Sequence, residues 1–235
     1  MPQKPSRAVA EARAPKEVEA DDKTRARWRE LDWFATPPFA SRAGGEIIKA
    51  IDPHAESAWE CACGDGIMAA CLKPYFRRVW ASDIEPQVTG ARQIDFRLEG
   101  PDMPEADWII TNPPFALAED FVRIGLRRAR RGVAVLCRLA FLESVGRYPL
   151  HFGGEHPLTI LAPFSERVAM QLGPWEPDCS TATAYAWFIY RRAGANAPGP
   201  AIIRPIGPGT KARLSEKGDV ARFVRSDTPP LFDQL

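Results

Sequence analysis

The sequence predicts an α/β fold, a doubly wound, mostly parallel sheet finished by an antiparallel edge β-pair. Three observations predict it. Short runs that are apolar on both faces recur through the middle of the chain, segments with helical periodicity lie between them, and two longer strand-like runs flank a turn-rich stretch. At 235 residues the chain has the length of one domain with a substantial core, and its apolar share of 45% and charged share of 26% are ordinary for a globular protein.

The elements follow in order. Residues 1 to about 30 are Ala, charge and Pro with almost no large apolar groups, so they read as a disordered arm, helical only near Trp28. A helix, "SRAGGEIIKAI", precedes the first strand, "SAWECA" (Ser57 to Ala62), and "GIMAACLKPY" gives the helix after it. Strands follow in "RVWASD" (Arg78 to Asp83), "DWIITN" (Asp107 to Asn112) and "GVAVLCR" (Gly132 to Arg138). Between the last two lies "ALAEDFVRIGLRRARR", in which Ala118, Phe121, Val122, Gly125, Leu126 and Ala129 share one face while Arg123, Arg127 and Arg130 do not. The runs "LTILAPFSERVAM" and "TATAYAWFIYRR" around "GPWEPDCS" give the antiparallel pair. From 193 to 235 the chain is rich in Pro and Gly and then basic, which reads as an extended, largely disordered tail with one short helix near Lys217 to Val224. The expected organisation is thus an arm over 1–30, a domain over 31–192 and a tail over 193–235.

Five cysteines, Cys61, Cys63, Cys71, Cys137 and Cys179, make an odd count without paired spacing, and most sit in apolar stretches; buried free thiols in a reducing compartment are expected. Cys61-Ala-Cys63 lacks a second pair of ligands, so no metal is expected. The charged N-terminal stretch has no apolar signal region and no run is long enough to span a bilayer, so the expectation is a cytoplasmic protein. Net charge is only +1, yet its distribution is uneven. From Phe121 to Leu150 there are seven arginines against Glu143 alone, and from Arg191 to Arg225 eight basic residues face Glu216 and Asp219. Such clustering can present a positive face to phosphates.

Open parallel sheets bind ligands beyond the carboxyl ends of their strands, and four segments converge there. Glu60 ends the first strand and is followed by Gly64-Asp65-Gly66, where small residues let backbone approach a ligand before a helix begins. Asp83 ends the next strand, 23 residues on, where an acid commonly accepts bonds from ribose hydroxyls. The glycine pattern lacks GxGxxG and no basic residue follows to take a diphosphate, which favours a nucleoside cofactor without phosphates. Asp95-Phe96 pairs a carboxylate with a ring, suited to the amine and face of an adenine. The fourth segment is "NPPF". Asn112 Oδ1 and the Pro113 carbonyl can both accept from one –NH₂, Phe115 offers a stacking surface, and Pro113 and Pro114 stiffen the corner. A conjugated amine is a poor nucleophile, and two acceptors aimed at its protons favour the pyramidal geometry it reaches on attack.

In these residues the chain, from Trp33 to Arg192, resembles the S-adenosylmethionine-dependent N6-adenine DNA methyltransferases, particularly the compact phage and prophage type. The resemblance implies a class I, Rossmann-like methyltransferase fold with S-adenosylmethionine as cofactor. It also implies roles. In "WFATPP", Thr36 and Pro37 would meet the cofactor's methionine carboxylate; "WECACGDG", with Glu60, Cys61, Gly64 and Gly66, would form the methionine-side loop. Asp83 would take the ribose, Asp95 and Phe96 the adenine, and Asn112, Pro113, Pro114 and Phe115 would be catalytic, Asn112 touching the cofactor as well. Phe115 stands where Tyr is frequent, which keeps the stacking face. Related enzymes that modify RNA guanine or a protein glutamine carry similar motifs, and a catalytically silent nucleic-acid binder on this scaffold is a further alternative. No separate target-recognition domain is present in the sequence, so Arg138, Arg147, His151 and His156, in "RLAFLESVGRYPLHFGGEHP", are the candidate nucleic-acid contacts. The expected partner is DNA, bound by a monomer with affinity that depends steeply on salt.

Overall fold

The structure, a computed structural model, describes residues 20–98, 100, 103–192 and 200–224. It begins with α1 (Asp22–Glu30), capped by Asp21, whose carboxylate accepts from the Thr24 amide at 2.7 Å. Trp28 on this helix is buried edge-on to Trp33, with ring centroids 5.7 Å apart. Next come α2 (Pro38–Ile51), with Pro38 at the first helical position, β1 (Ser57–Glu60) and α3 (Ile67–Leu72). The series continues through β2 (Arg78–Asp83), β3 (Arg92–Gln93), β4 (Trp108–Thr111), α4 (Ala118–Arg128) and β5 (Gly132–Arg138). The expected pair is β6 (Leu158–Pro163) and β7 (Tyr185–Arg191), reached through α5 (Tyr148–Phe152).

Eight strands form one sheet in the order β3-β2-β1-β4-β5-β7-β6-β8, where β8 is Ile202–Ile203. Strands β1 to β5 pair in parallel, and β7 runs antiparallel to both β5 and β6. Strand order reverses between β1 and β4, so their carboxyl ends open a crevice at the switch point. Period-two alternation sends Trp108, Ile110, Leu136 and Trp187 to one face with Phe39 and Ile48 of α2, and Trp59, Ile109, Val135, Phe188 and Tyr190 to the other with Phe121 and Val122 of α4. Burying tryptophan demands a partner for each indole N–H. Trp59 donates to Ser82 Oγ (2.8 Å), Trp108 to Asp52 Oδ2 (2.9 Å) and Trp187 to the Ala40 carbonyl (3.1 Å).

The tail departs from expectation within 200–224. There β8 extends the sheet and Ile206 is buried after it, while α6 (Thr210–Leu214) and α7 (Asp219–Phe223), the latter where a short helix is expected, pack on the domain through the buried Leu214 and Phe223. The buried Arg42 guanidinium donates to both Asp219 oxygens at 2.9 and 2.6 Å and to the Leu214 carbonyl at 2.8 Å. Composition weighs the Pro and Gly content and misses these widely spaced apolar anchors. The expectations for 1–19, 193–199 and 225–235 lie outside the described residues. Among the described residues, no helix is long and apolar enough to cross a membrane.

Candidate active site

The loop leaving β1 turns on two glycines in the left-handed region, Gly64 (φ 49°) and Gly66 (φ 81°). A Cβ on Gly64 would lie 2.6 Å from Trp33 Nε1, so the loop needs glycine for space as well as for conformation. Asp83 at the end of β2 anchors this loop: one oxygen accepts the Gly64 amide at 2.9 Å and the other the Glu85 amide at 2.8 Å. Burial raises the Asp83 pKa above the usual carboxylate value, against the lowering effect of those amides.

Glu60 is fully buried, and its Oε1 accepts from the Thr111 hydroxyl and from the Ala62 amide at 3.1 Å. Burial pushes its pKa up to about 8, the two hydrogen bonds opposing, so the carboxyl is mostly neutral at pH 7. A cleft open to solvent lies over the carboxyl ends of β1, β2 and β4. Of the sequence-predicted cofactor residues, Thr36, Glu60, Cys61, Gly64, Asp83, Asp95, Phe96 and Asn112 line it. Two do not. Gly66 caps α3 behind the loop, and Pro37 faces a different cavity with Phe39 and Trp175. Asp95 reaches Arg97 at 3.1 Å, while Phe96 is buried against Trp59 and Phe121 with the Arg128 guanidinium 4.9 Å over its ring.

The proline corner follows β4 directly. Asn112 Nδ2 donates to the Phe34 carbonyl at 2.8 Å and touches Met170 Sδ at 3.8 Å. Its Oδ1 is buried and has no hydrogen-bond partner among the described residues. An acceptor left unpaired inside a protein carries a desolvation penalty of about 1–3 kcal/mol, which marks a position where a donor belongs. Pro114 lines the cleft and Pro113 is buried outside its lining. The Phe115 ring is half-buried between Phe34 (5.5 Å) and Tyr185 (6.0 Å). Its backbone amide donates to Asp32 Oδ2 at 2.6 Å.

The four candidate nucleic-acid residues separate. Arg138, exposed at the end of β5, lays its guanidinium 4.4 Å over the Phe115 ring, which puts it at the mouth of the corner. Arg147 instead braces its own loop, donating to the carbonyls of Phe141 (3.0 Å) and Glu143. His151 corrects the expectation outright, for it is fully buried. Its Nε2–H donates to the Phe141 carbonyl at 2.9 Å, leaving Nδ1 to accept from the Tyr190 hydroxyl at 2.9 Å, and burial lowers its pKa. His156 lines a separate cavity with Arg127 and Arg192. Asp32, Phe34 and Tyr185 complete the corner and were not singled out from sequence. Asp32 carries no motif that would have marked it; Phe34 lies inside the quoted "WFATPP", but beside its ring it contributes a backbone carbonyl, which no residue type encodes.

No protein-family profile matches the chain, and no curated protein does. Solved structures do. A Listeria monocytogenes protein described as a class I S-adenosylmethionine-dependent methyltransferase superposes with a TM-score of 0.55 at 12% identity, over 76% of this chain and 69% of that one. A Pyrococcus horikoshii protein described as an RNA methyltransferase gives 0.54 at 12% identity, over 71% and 89%. The methyltransferase subunit of a type I restriction-modification system from Streptococcus thermophilus gives 0.51 at 11% identity, over 76% of this chain and 49%, about half, of that one. The fold is therefore that of the class I methyltransferases, as the sequence predicts.

Proposed function

We propose that this chain transfers a methyl group from S-adenosylmethionine to the exocyclic N6 of adenine in DNA, after the nucleotide has rotated out of the duplex. The observation that carries the reading is the Asn112 amide. Its nitrogen is committed to the Phe34 carbonyl, so its buried, unpaired Oδ1 is fixed as an acceptor beside the half-buried Phe115 ring. An aromatic amine has N–H groups for that oxygen and a ring for that face.

The lining of the cleft fits a phosphate-free nucleoside cofactor. Thr36, Glu60, Cys61 and the Gly64 backbone would hold its amino-acid end, Asp83 its ribose and Asp95 the amine of its base, while the Phe96 ring, packed against Trp59, Phe121 and Arg128, does not offer the stacking face expected of it. Bound there, the cofactor supplies an electrophilic methyl carbon on a positive sulfur, and no metal is needed to activate it. Asn112 Oδ1 draws on the amine protons as the nitrogen becomes pyramidal, Phe115 holds the ring in line, and the two prolines keep both from drifting. An adenine stacked in a duplex cannot reach this corner, so extrusion precedes reaction. The exposed Arg127 and Arg138 supply charge for a nucleic-acid acceptor, and DNA is the acceptor of the family the sequence resembles.

The test is Asn112→Ala. Cofactor affinity by calorimetry stays within about threefold, while methyl transfer falls by at least about a hundredfold, the scale for removing one transition-state acceptor. Full activity in this variant discards the mechanism. Expressing the wild-type gene in a host lacking adenine methylation and sequencing its DNA for modified bases tests the acceptor. Labelled methyl appearing in RNA or in protein, with none in DNA, replaces the substrate and keeps the chemistry.

A further inference from the structure

Helix α1 ends in a recognisable way. The Asp32 amide donates to the Arg29 carbonyl at 3.1 Å and the Trp33 amide to the Trp28 carbonyl at 3.0 Å, the paired bonds of a helix closed by one left-handed residue. That residue is Asp32, at φ 50°, the one non-glycine with positive φ among the described residues. Glycine is the usual occupant, because it alone adopts this conformation without steric cost, and an outlier of this kind points to a use for the side chain.

The use is visible 83 residues on. Asp32 Oδ2 accepts the Phe115 amide at 2.6 Å and lies 3.4 Å from the Ala116 amide, where the chain turns into the 3₁₀ segment Phe115–Leu117. A carboxylate accepting backbone N–H groups makes stronger bonds than a neutral acceptor. Two residues further, the Phe34 carbonyl fixes the Asn112 amide and the Phe34 ring packs on Phe115. One short strap thus clamps both ends of the corner.

We propose that Asp32 is the positioning residue of the Asn112–Phe115 corner, its carboxylate holding the Phe115 backbone so that the ring face and the Asn112 acceptor stay in register for the incoming amine. The role in turnover rests on the methyl-transfer reading; the hold on Phe115 does not. A residue serving only to end α1 would be replaced by glycine at no loss, since glycine is the better terminator.

The experiment compares the full-length protein with Asp32→Gly and Asp32→Asn, asparagine being tolerated in the left-handed region and keeping one acceptor oxygen. In Asp32→Gly, hydrogen exchange at the Phe115 amide accelerates and kcat for methyl transfer falls, each by about ten- to a hundredfold, the worth of a hydrogen bond to a charged group. KM for the cofactor stays within about threefold, and Asp32→Asn recovers most of both losses. Unchanged exchange at Phe115 in Asp32→Gly overturns the proposal, and so does equal impairment of the two variants. If the wild type transfers no methyl to DNA, the reaction assignment falls, while the exchange measurement still decides whether Asp32 holds the corner.

Discussion

A single buried carboxyl gives the site a pH signature. Glu60 titrates near 8 in the fold, against an ordinary value of 4.5, chiefly through burial. Between those two values the native state keeps a proton that the unfolded chain has lost, so stability is full below about 4.5 and declines as pH rises towards 8. Asparagine's longer homologue imitates the neutral form. Glu60→Gln should therefore gain on the wild type in thermal melts as pH is raised from 5 to 8, by on the order of 3 kcal/mol. A melting difference that is the same at both pH values refutes the neutral carboxyl. At this scale the sequence spoke unevenly. Asn112 and Asp83 were legible because each sits at a strand end, and Gly64 because it lies in the loop that leaves one, where chain geometry alone delivers them to the crevice. His151 was not, because its burial depends on Tyr190, 39 residues away, and nothing in "YPLHF" announces that hydroxyl.

Among elements, those built on local periodicity were readable, while for those held by distant partners the packing was not. Strands β1, β4 and β5 are apolar on both faces because helices cover both, and that pattern is local. The tail helices are five residues each, too short to form without tertiary support; α7 falls where the sequence predicts a short helix, whereas α6 and the packing of both on the domain are not predicted. What fixes α7 is Asp219, 5% exposed and gripped by Arg42 of α2, with the Glu216 amide donating to it as well at 2.8 Å. Arg42 also reaches the exposed Glu216 carboxylate at 3.1 Å, so removing Asp219 takes away its buried partner and leaves the exposed one. Asp219→Ala should lower stability by about 2–3 kcal/mol in denaturant titrations. A variant as stable as the wild type would mean that the tail is an ornament on the domain rather than part of its core.

Over the whole molecule, arginine count and available charge diverge. The run of arginines from 123 to 131 looks in sequence like a positive face, yet much of it is bound up in the fold. Arg123 pairs with Glu119 at 2.8 Å, Arg130 with Asp107 at 3.2 Å and Arg131 with Asp52 at 2.8 Å, while Arg128 donates to the Phe96 and Leu98 carbonyls. Asp107 also accepts the Glu56 and Ser57 amides, so Arg130 helps tie the start of β1 to β4. Arg127 is different: it is exposed, has no carboxylate partner among the described residues, and shares an open surface cavity with Arg192 and His156. A phosphate contact releases counterions, and each one adds about 0.9 to the slope of log affinity against log salt. Arg127→Gln should accordingly flatten that slope for duplex DNA by about 1, with melting temperature unchanged. Arg130→Gln should do the reverse, leaving the slope alone and lowering the melting temperature, because its charge is engaged by Asp107. Slopes that respond equally to the two substitutions would show that the pairing seen in the fold does not decide which cations meet the nucleic acid.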